Sequence, residues 1–234
     1  MTKRGTDELS PTGARADEPP RAVTFFSGSK DRDDLGLDVP TWRKELSNFA
    51  IASPPIVVAG RSYRTVEHAF QAGKYLRCAR PEEPARRAAA ELEVGGRLAT
   101  AHAAKIAGGR RGMGERGCAL DRDAWALEAD GVMMSALRAR AATDATFSRV
   151  LRASRAQRVT LVHHERAAAK SYWGGGIAKG SGAVIGRNRL GEMLMELRET
   201  LGDDAEPTEA RVSNGDAGTE ERDRKTARLA LGDG

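Results

Sequence analysis

Apolar residues along the chain change their spacing repeatedly, and those changes mark out its elements. From 189 to 201 (RLGEMLMELRETL), Leu190, Met193, Leu194 and Leu197 recur at i, i+3, i+4 and i+7, which predicts an amphipathic helix preceded by Asn188. Trp125, Val132, Met133, Ala136 and Leu137 form the apolar set of a longer helix over 124–141, with Asp123 as its cap. Ala-rich helices are predicted over 81–93 and 98–107, split near Gly95 and Gly96, and a further helix over 145–153. Short β-type runs lie at 23–26 and 159–162. Ile56-Val57-Val58, Gly60 and Ser62-Tyr63 read as a hairpin whose start is marked by Pro54-Pro55. Helices outnumber strands, there is no alternating βαβ series, and no internal repeat is visible. The pattern predicts a mainly helical α+β domain with a few short strands.

One stretch breaks the rule that a helix face is either apolar or polar. In YRTVEHAFQAGKY, residues 63–75, Thr65 is placed to cap a helix over 65–76 whose first turn carries Glu67 and His68. Glu67, Phe70, Gln71 and Lys74 then fall on one face. A carboxylate, an amide, an amine and an aromatic ring together suit the wall of a cleft. The competing reading is a solvated helix with Glu67 and Lys74 as surface charges.

Residues 1–21 and 203–234 are polar and nearly free of large apolar groups, so they are expected to be disordered tails around one domain over 22–202. The excess of Lys and Arg over Asp and Glu leaves a net charge of +5, which suits a phosphate-bearing ligand or nucleic acid, although the basic residues are scattered. Part of the charge follows from an Arg- and Ala-rich, Lys-poor composition. Cys78 and Cys118 are far apart and without metal-type spacing. With no apolar leader and no run long enough to span a bilayer, the expectation is a soluble, cytoplasmic protein.

Chemistry is confined to a few places. His163-His164 has no third ligand at metal spacing, so no metal is expected. No serine-hydrolase elbow or Cys-His nucleophile pattern is present. The basic run Gly108-Gly109-Arg110-Arg111-Gly112-Met113-Gly114 is either a flexible linker or a phosphate contact, and it lacks the Walker pattern. Tyr172-Trp173-Gly174-Gly175-Gly176 sets aromatic rings beside three glycines. That suits stacking on a planar heterocycle, or a buried Trp anchoring a loop.

Taken in order, five motifs resemble the NADAR (YbiA-like) family across residues 23–201. They are Leu46-Ser47-Asn48-Phe49; Glu67-His68-Ala69-Phe70-Gln71-Ala72-Gly73-Lys74; Trp125 with Val132-Met133 and Ala136-Leu137; Tyr172-Trp173-Gly174; and Gly186-Arg187-Asn188-Arg189-Leu190-Gly191 with Leu194-Met195-Glu196-Leu197-Arg198. The resemblance implies a single compact α+β domain acting as an N-glycosidase on ribosyl compounds, without metal or organic cofactor. The implied substrates are ribosylamino-pyrimidine phosphate intermediates of riboflavin synthesis, or ADP-ribose on guanine in nucleic acid. The family's active-site carboxylate falls on Glu67, and its pocket positions on Asn48, Phe49, Gln71, Lys74, Trp125, Trp173 and Asn188. His68 joins the expected substrate contacts, and Arg189 or Lys170 is expected to meet phosphate. Lys170 itself is a departure, because the family carries Asp three residues before the Trp of this loop; Glu165 is a candidate to supply that carboxylate instead. Lys74 is a candidate for Schiff-base capture of a ring-opened ribosylamine. The alternative is a catalytically weakened module that binds ADP-ribose or an NAD-like ligand.

Overall fold

The computed structural model describes residues 20–202. The expected tails therefore lie outside the described residues, apart from Pro20 and Arg21. Arg21 already belongs to the fold: its guanidinium meets Asp34 at 3.0 Å and its carbonyl accepts from Thr160 N at 3.0 Å.

The chain begins with β1 (Ala22–Phe25), followed by a loop and the single turn α1 (Trp42–Glu45). The predicted hairpin forms as β2 (Ile56–Val58) and β3 (Arg61–Tyr63). Next comes α2 (Val66–Cys78), with Thr65 as its cap accepting from His68 N. β4 (Ala79–Arg80), α3 (Glu82–Ala90), α4 (Ala101–Ala107), α5 (Arg110–Glu115) and β5 (Ala119–Leu120) lead to the 22-residue α6 (Arg122–Thr143). Then follow α7 (Ala145–Ala156), β6 (Thr160–His163), the ribbon of β7 (Gly176–Ile177) and β8 (Val184–Ile185), and α8 (Arg189–Glu199).

Two features differ from the sequence expectation. The long helix is capped by Asp121, whose carboxylate accepts from Ala124 N at 3.0 Å, so it starts two residues earlier than Asp123 would allow. The glycine-rich run at 108–114 is not a loop. Its alternating glycines fold into α5 because Met113 is buried, an example of tertiary packing overriding weak helix propensity.

Helix α2 lies at the centre and packs against α6, α3 and α4. Gly73 permits this closeness: a Cβ there would stand 2.4 Å from Val132 Cγ1 on α6. A helical glycine costs about 1 kcal/mol in propensity, which the tighter contact offsets. On the far side, β1 and β6 pair in parallel, Val23 opposite Leu161 and Phe25 opposite His163, and α8 covers β6. The strands are short, and of their pairings β1–β6 joins the most distant parts of the chain. No helix among the described residues is long and apolar enough to cross a membrane.

Candidate functional site

The site is built around the odd face of α2. Glu67 and Gln71 are buried and Lys74 is half-buried, so this face is interior and not a solvated surface. Gln71 Nε2 donates to Glu67 Oε1 at 2.8 Å. Burial pushes the Glu67 carboxyl above its ordinary range, while the Gln71 bond and the charges of Lys105 and Lys74 pull it back. Lys74 is pushed the other way: burial lowers its pKa and Glu67 partly restores it. Its Nζ donates to Gly108 O at 3.0 Å and sits 5.7 Å from the Phe70 ring and 5.5 Å from the Trp125 ring.

Four aromatic side chains close one side. Phe70 meets Trp125 at 5.1 Å and Trp173 edge-on at 5.3 Å, and Trp173 in turn meets Tyr172 edge-on at 5.1 Å. The expected residues Glu67, Gln71, Lys74, Trp125 and Trp173 are thus brought together from α2, α6 and the glycine-rich loop. The turn before the hairpin joins them through backbone, since Glu67 N donates to Asn48 O at 3.0 Å. Asn48 Nδ2 makes a weak 3.5 Å contact to Met133 Sδ. Asn48 Oδ1 and Gln71 Oε1 are buried acceptors without a hydrogen-bond partner among the described residues.

Four expected contacts are placed differently. His68 is fully buried, accepts from Thr65 Oγ1 at Nδ1 (2.8 Å) and donates from Nε2 to Leu98 O (2.9 Å). Both ring nitrogens are used, burial lowers its pKa, and the neutral ring pins α2 to the chain before α4. Asn188 adopts the left-handed region at φ 51°, accepts from His163 N and donates to Leu161 O, each at 2.9 Å. It fastens the loop to β6 through both its side-chain oxygen and its side-chain nitrogen. Arg189 is held by Asp130 at 2.8 Å and Glu196 at 2.7 Å, and the Asp130 hydrogen bond, then the Glu196 bond, raise its pKa further. Tyr172 Oη donates to the same Asp130 at 2.9 Å, so Arg189 braces the aromatic loop and is not an open phosphate contact. Lys170 ends a short 3-10 turn, Ala168–Lys170, and is exposed.

The structure also brings in Lys105 and His163, which the sequence did not single out for the pocket. Lys105 on α4 lies 5.7 Å from the Phe49 ring and contributes positive charge to Glu67. Phe49 itself is half-buried. His163 is pushed below its ordinary range by burial, hydrogen-bonds to the Trp173 backbone and feels Glu165 and Lys105. Glu165 packs directly on Gly174, where a Cβ would stand 2.1 Å from its Cγ. Glu165 is half-buried beside this loop, whereas Lys170 is exposed. No sequence periodicity links residues 49, 67, 105 and 163; only the tertiary fold does. Among the described residues no cluster of His, Cys, Asp or Glu could hold a metal.

Gly108 is a close-packing point for the whole arrangement. A Cβ on it would stand 1.8 Å from Gln71 Oε1, although its own backbone suits any residue (φ −79°). Gly108→Ala is expected to fold, to displace the Gln71 amide and to cost Glu67 a bond that lowers its pKa. Loss of a hydrogen bond to a charged group is worth about 1.5–3 kcal/mol, so turnover should fall roughly tenfold to a hundredfold. The low-pH limb of the activity profile should move upward. A profile that superimposes on wild type would remove Gln71 from any role in tuning Glu67.

A buried carboxylate and a half-buried amine thus share one helix of a small α+β domain, beside a set of aromatic rings. Residues 38–202 match the NADAR domain model, and the chain belongs to that family. N-glycosidase YbiA of Shigella flexneri serotype 5b (strain 8401) is 34% identical over 179 residues, 76% of this chain and 88% of the relative. YbiA of Escherichia coli (strain K12) is 33% identical over the same shares. The solution NMR structure of E. coli YbiA superimposes with a TM-score of 0.51 at 29% identity, covering 78% of this chain and 86% of that one.

Proposed function

We propose that the protein is an N-glycosidase that hydrolyses the C1′–N bond of a ribosylated small molecule, with Glu67 as the acting carboxylate. One observation carries the reading: Glu67 is a buried carboxylate, held by Gln71, on a helix that also presents Lys74 to a set of aromatic rings. Breaking a C1′–N bond builds positive charge at C1′, and an anion in a water-poor pocket stabilises that charge strongly. An upward-shifted carboxyl is also a better general base toward water than an exposed one. The unpartnered acceptors Asn48 Oδ1 and Gln71 Oε1 suit ribose hydroxyl donors. Trp173 or Trp125 offers a face to the departing base. Glu165 is the second carboxylate of the pocket, in place of an acid at position 170.

The substrate is a ribosylamino-pyrimidine phosphate or ADP-ribosyl-guanine. A product assay with both compounds tests the proposal. Release of free base from either one supports it. Tight binding of ADP-ribose with no base released from either would leave a ligand-binding module instead.

The lowered pKa of Lys74 favours one particular route. Burial makes the neutral amine more accessible, and in that form it can capture the ring-opened ribosyl group as an imine, expelling the nitrogen leaving group. Borohydride added during turnover should then give a protein–sugar adduct, absent in Lys74→Met. Turnover without any adduct would leave direct attack by water as the route.

A further inference from the structure

Helix α6 buries one side and leaves the other open. Val132, Met133, Ala136, Leu137 and Arg140 are buried, whereas Asp123, Leu127, Gly131, Ser135 and Arg138 are exposed. At 3.6 residues per turn the exposed five fall within roughly 120° of the helix surface, so they form one face. Leu127 is 87% exposed at its middle. A lone exposed leucine is ordinary, but the surroundings of this one are not. Gly131, Met134, Ser135 and Arg138 stand at i, i+3, i+4 and i+7, the corners of a hole between side chains. Gly131 leaves that hole deep, because a Cβ there would meet nothing within 4 Å beyond the helix's own backbone. Gly73 is explained by its contact with Val132; Gly131 has no contact in its own chain that calls for a glycine. On the flank of Ser135, a groove of about 60 Å³ shared with Val58, Ala59 and Leu76 continues the apolar surface. The face ends in opposite charges, Asp123 near the helix start and Arg138 near its end. Among the described residues neither has a hydrogen bond or ion pair, whereas Glu128 beside them is held by Arg77 at 2.7 Å. Asp123 and Arg138 are roughly 22 Å apart along the axis, too far to meet within one chain.

We infer that this face binds a second copy of the chain, through an antiparallel α6–α6 contact whose two-fold axis passes at Gly131. Such an axis sets each residue opposite the one equally far beyond Gly131 on the partner. Leu127 lies about 6 Å before Gly131 and the centre of the hole about 5 Å after it, so each Leu127 enters the hole of the other copy. Arg138 and Asp123 stand about 10 Å and 12 Å from Gly131 on opposite sides, so each Arg138 meets the other copy's Asp123, and symmetry makes the pair twice. The face is thus complementary to itself in both shape and charge, which selects a second copy over an unrelated partner. Close approach of the two helices also supplies the reason for a glycine at 131.

A single helix pair is a small interface, so Kd should lie in the micromolar range, and sedimentation velocity of the full chain over about 1–300 µM reads it. Leu127→Glu should raise Kd about tenfold or more and leave the circular dichroism spectrum unchanged, because the side chain is exposed. Gly131→Leu fills the hole and should weaken association as much, yet raise the Tm measured at low concentration, since glycine is a poor helix former. Arg138→Asp sets carboxylates against each other and should raise Kd about fivefold or more; adding Asp123→Arg should bring it back to within about twofold of wild type. A wild type that stays monomeric over this range, a Kd unmoved by Leu127→Glu, or no recovery in the charge-swapped double variant overturns the inference. So does a chain that associates only after removal of residues 203–234, because that segment and not a second copy would then cover the face.

Discussion

Glu67→Gln should abolish base release, lowering kcat by roughly 10²–10⁴, the usual range for a positioned acid–base or electrostatic group. The fold should survive. Glutamine is nearly isosteric, and its carbonyl can still accept from Gln71 Nε2 in the bond Glu67 now makes. Stability should even rise at neutral pH, with a defined pH dependence. The folded-state pKa of Glu67 is raised, so the folded protein binds a proton more readily than the unfolded chain. As pH climbs past the ordinary carboxylate range, wild type therefore loses stability that the neutral variant keeps. The Tm difference between Glu67→Gln and wild type should be positive at pH 7 and shrink as pH falls toward about 4, near the unfolded carboxylate value. Removing the anion also takes away the charge that holds the pKa of Lys74 up. A folded variant with undiminished turnover would take Glu67 out of the reaction.

Arg140→Met should be the opposite kind of variant, lost to instability first. Arg140 is fully buried on α6. Nε reaches Asp144 at 3.0 Å, Nη1 reaches the carbonyl of Glu45 at 2.8 Å, Nη2 reaches the Glu45 carboxylate at 3.3 Å, and the guanidinium lies 4.4 Å from the Phe147 ring centroid. Removing one partner of such a buried pair typically costs about 3–5 kcal/mol, because the other charge is left unpaired. For a chain of this size that corresponds to a fall in Tm of roughly 6–20 °C. Activity should fall as well. Nη1 also reaches Ser47 O at 3.4 Å, in the turn whose next carbonyl, that of Asn48, accepts from Glu67 N. Arg140→Lys should recover little, since an ammonium cannot reproduce the planar fork. Differential scanning calorimetry separates the two variants at pH 7: Glu67→Gln gains Tm and loses chemistry, whereas Arg140→Met loses both. A Tm within a degree of wild type would mean that Asp144, through its cap to Phe147 N, is satisfied without the arginine.

The contrast explains what the sequence could and could not disclose. Local signals carried the helices well. Thr65 caps α2, the apolar set of α8 faces inward, and the hairpin at Ile56–Val58 pairs as its spacing suggests. Glu67, Gln71 and Lys74 were legible as a set because helical periodicity puts them on one face. Burial of that face was not legible, since it depends on α4 and α6 arriving over it. The polar residues around the loop were harder still. Asn188, His68 and Arg189 carry groups that suit ligands, yet each is used up on the protein itself. A pattern of residue types cannot separate a hydrogen bond to substrate from one to a carbonyl two strands away. Lys105 shows the reverse case, an ordinary surface residue in sequence whose charge the fold brings to bear on Glu67.

The parallel pairing of β1 with β6 has a consequence for where this domain is cut. The family match begins at residue 38, whereas β1 ends at Phe25. Phe25 is fully buried, its ring lies 5.4 Å from that of His163, and its carbonyl accepts from His164 N at 3.0 Å. A fragment trimmed to the matched segment would bare one edge of β6 and one face of His163, whose ring supports the backbone of Trp173. The smallest piece able to hold the indole wall in place thus reaches back to about Arg21, and family boundaries understate the functional unit.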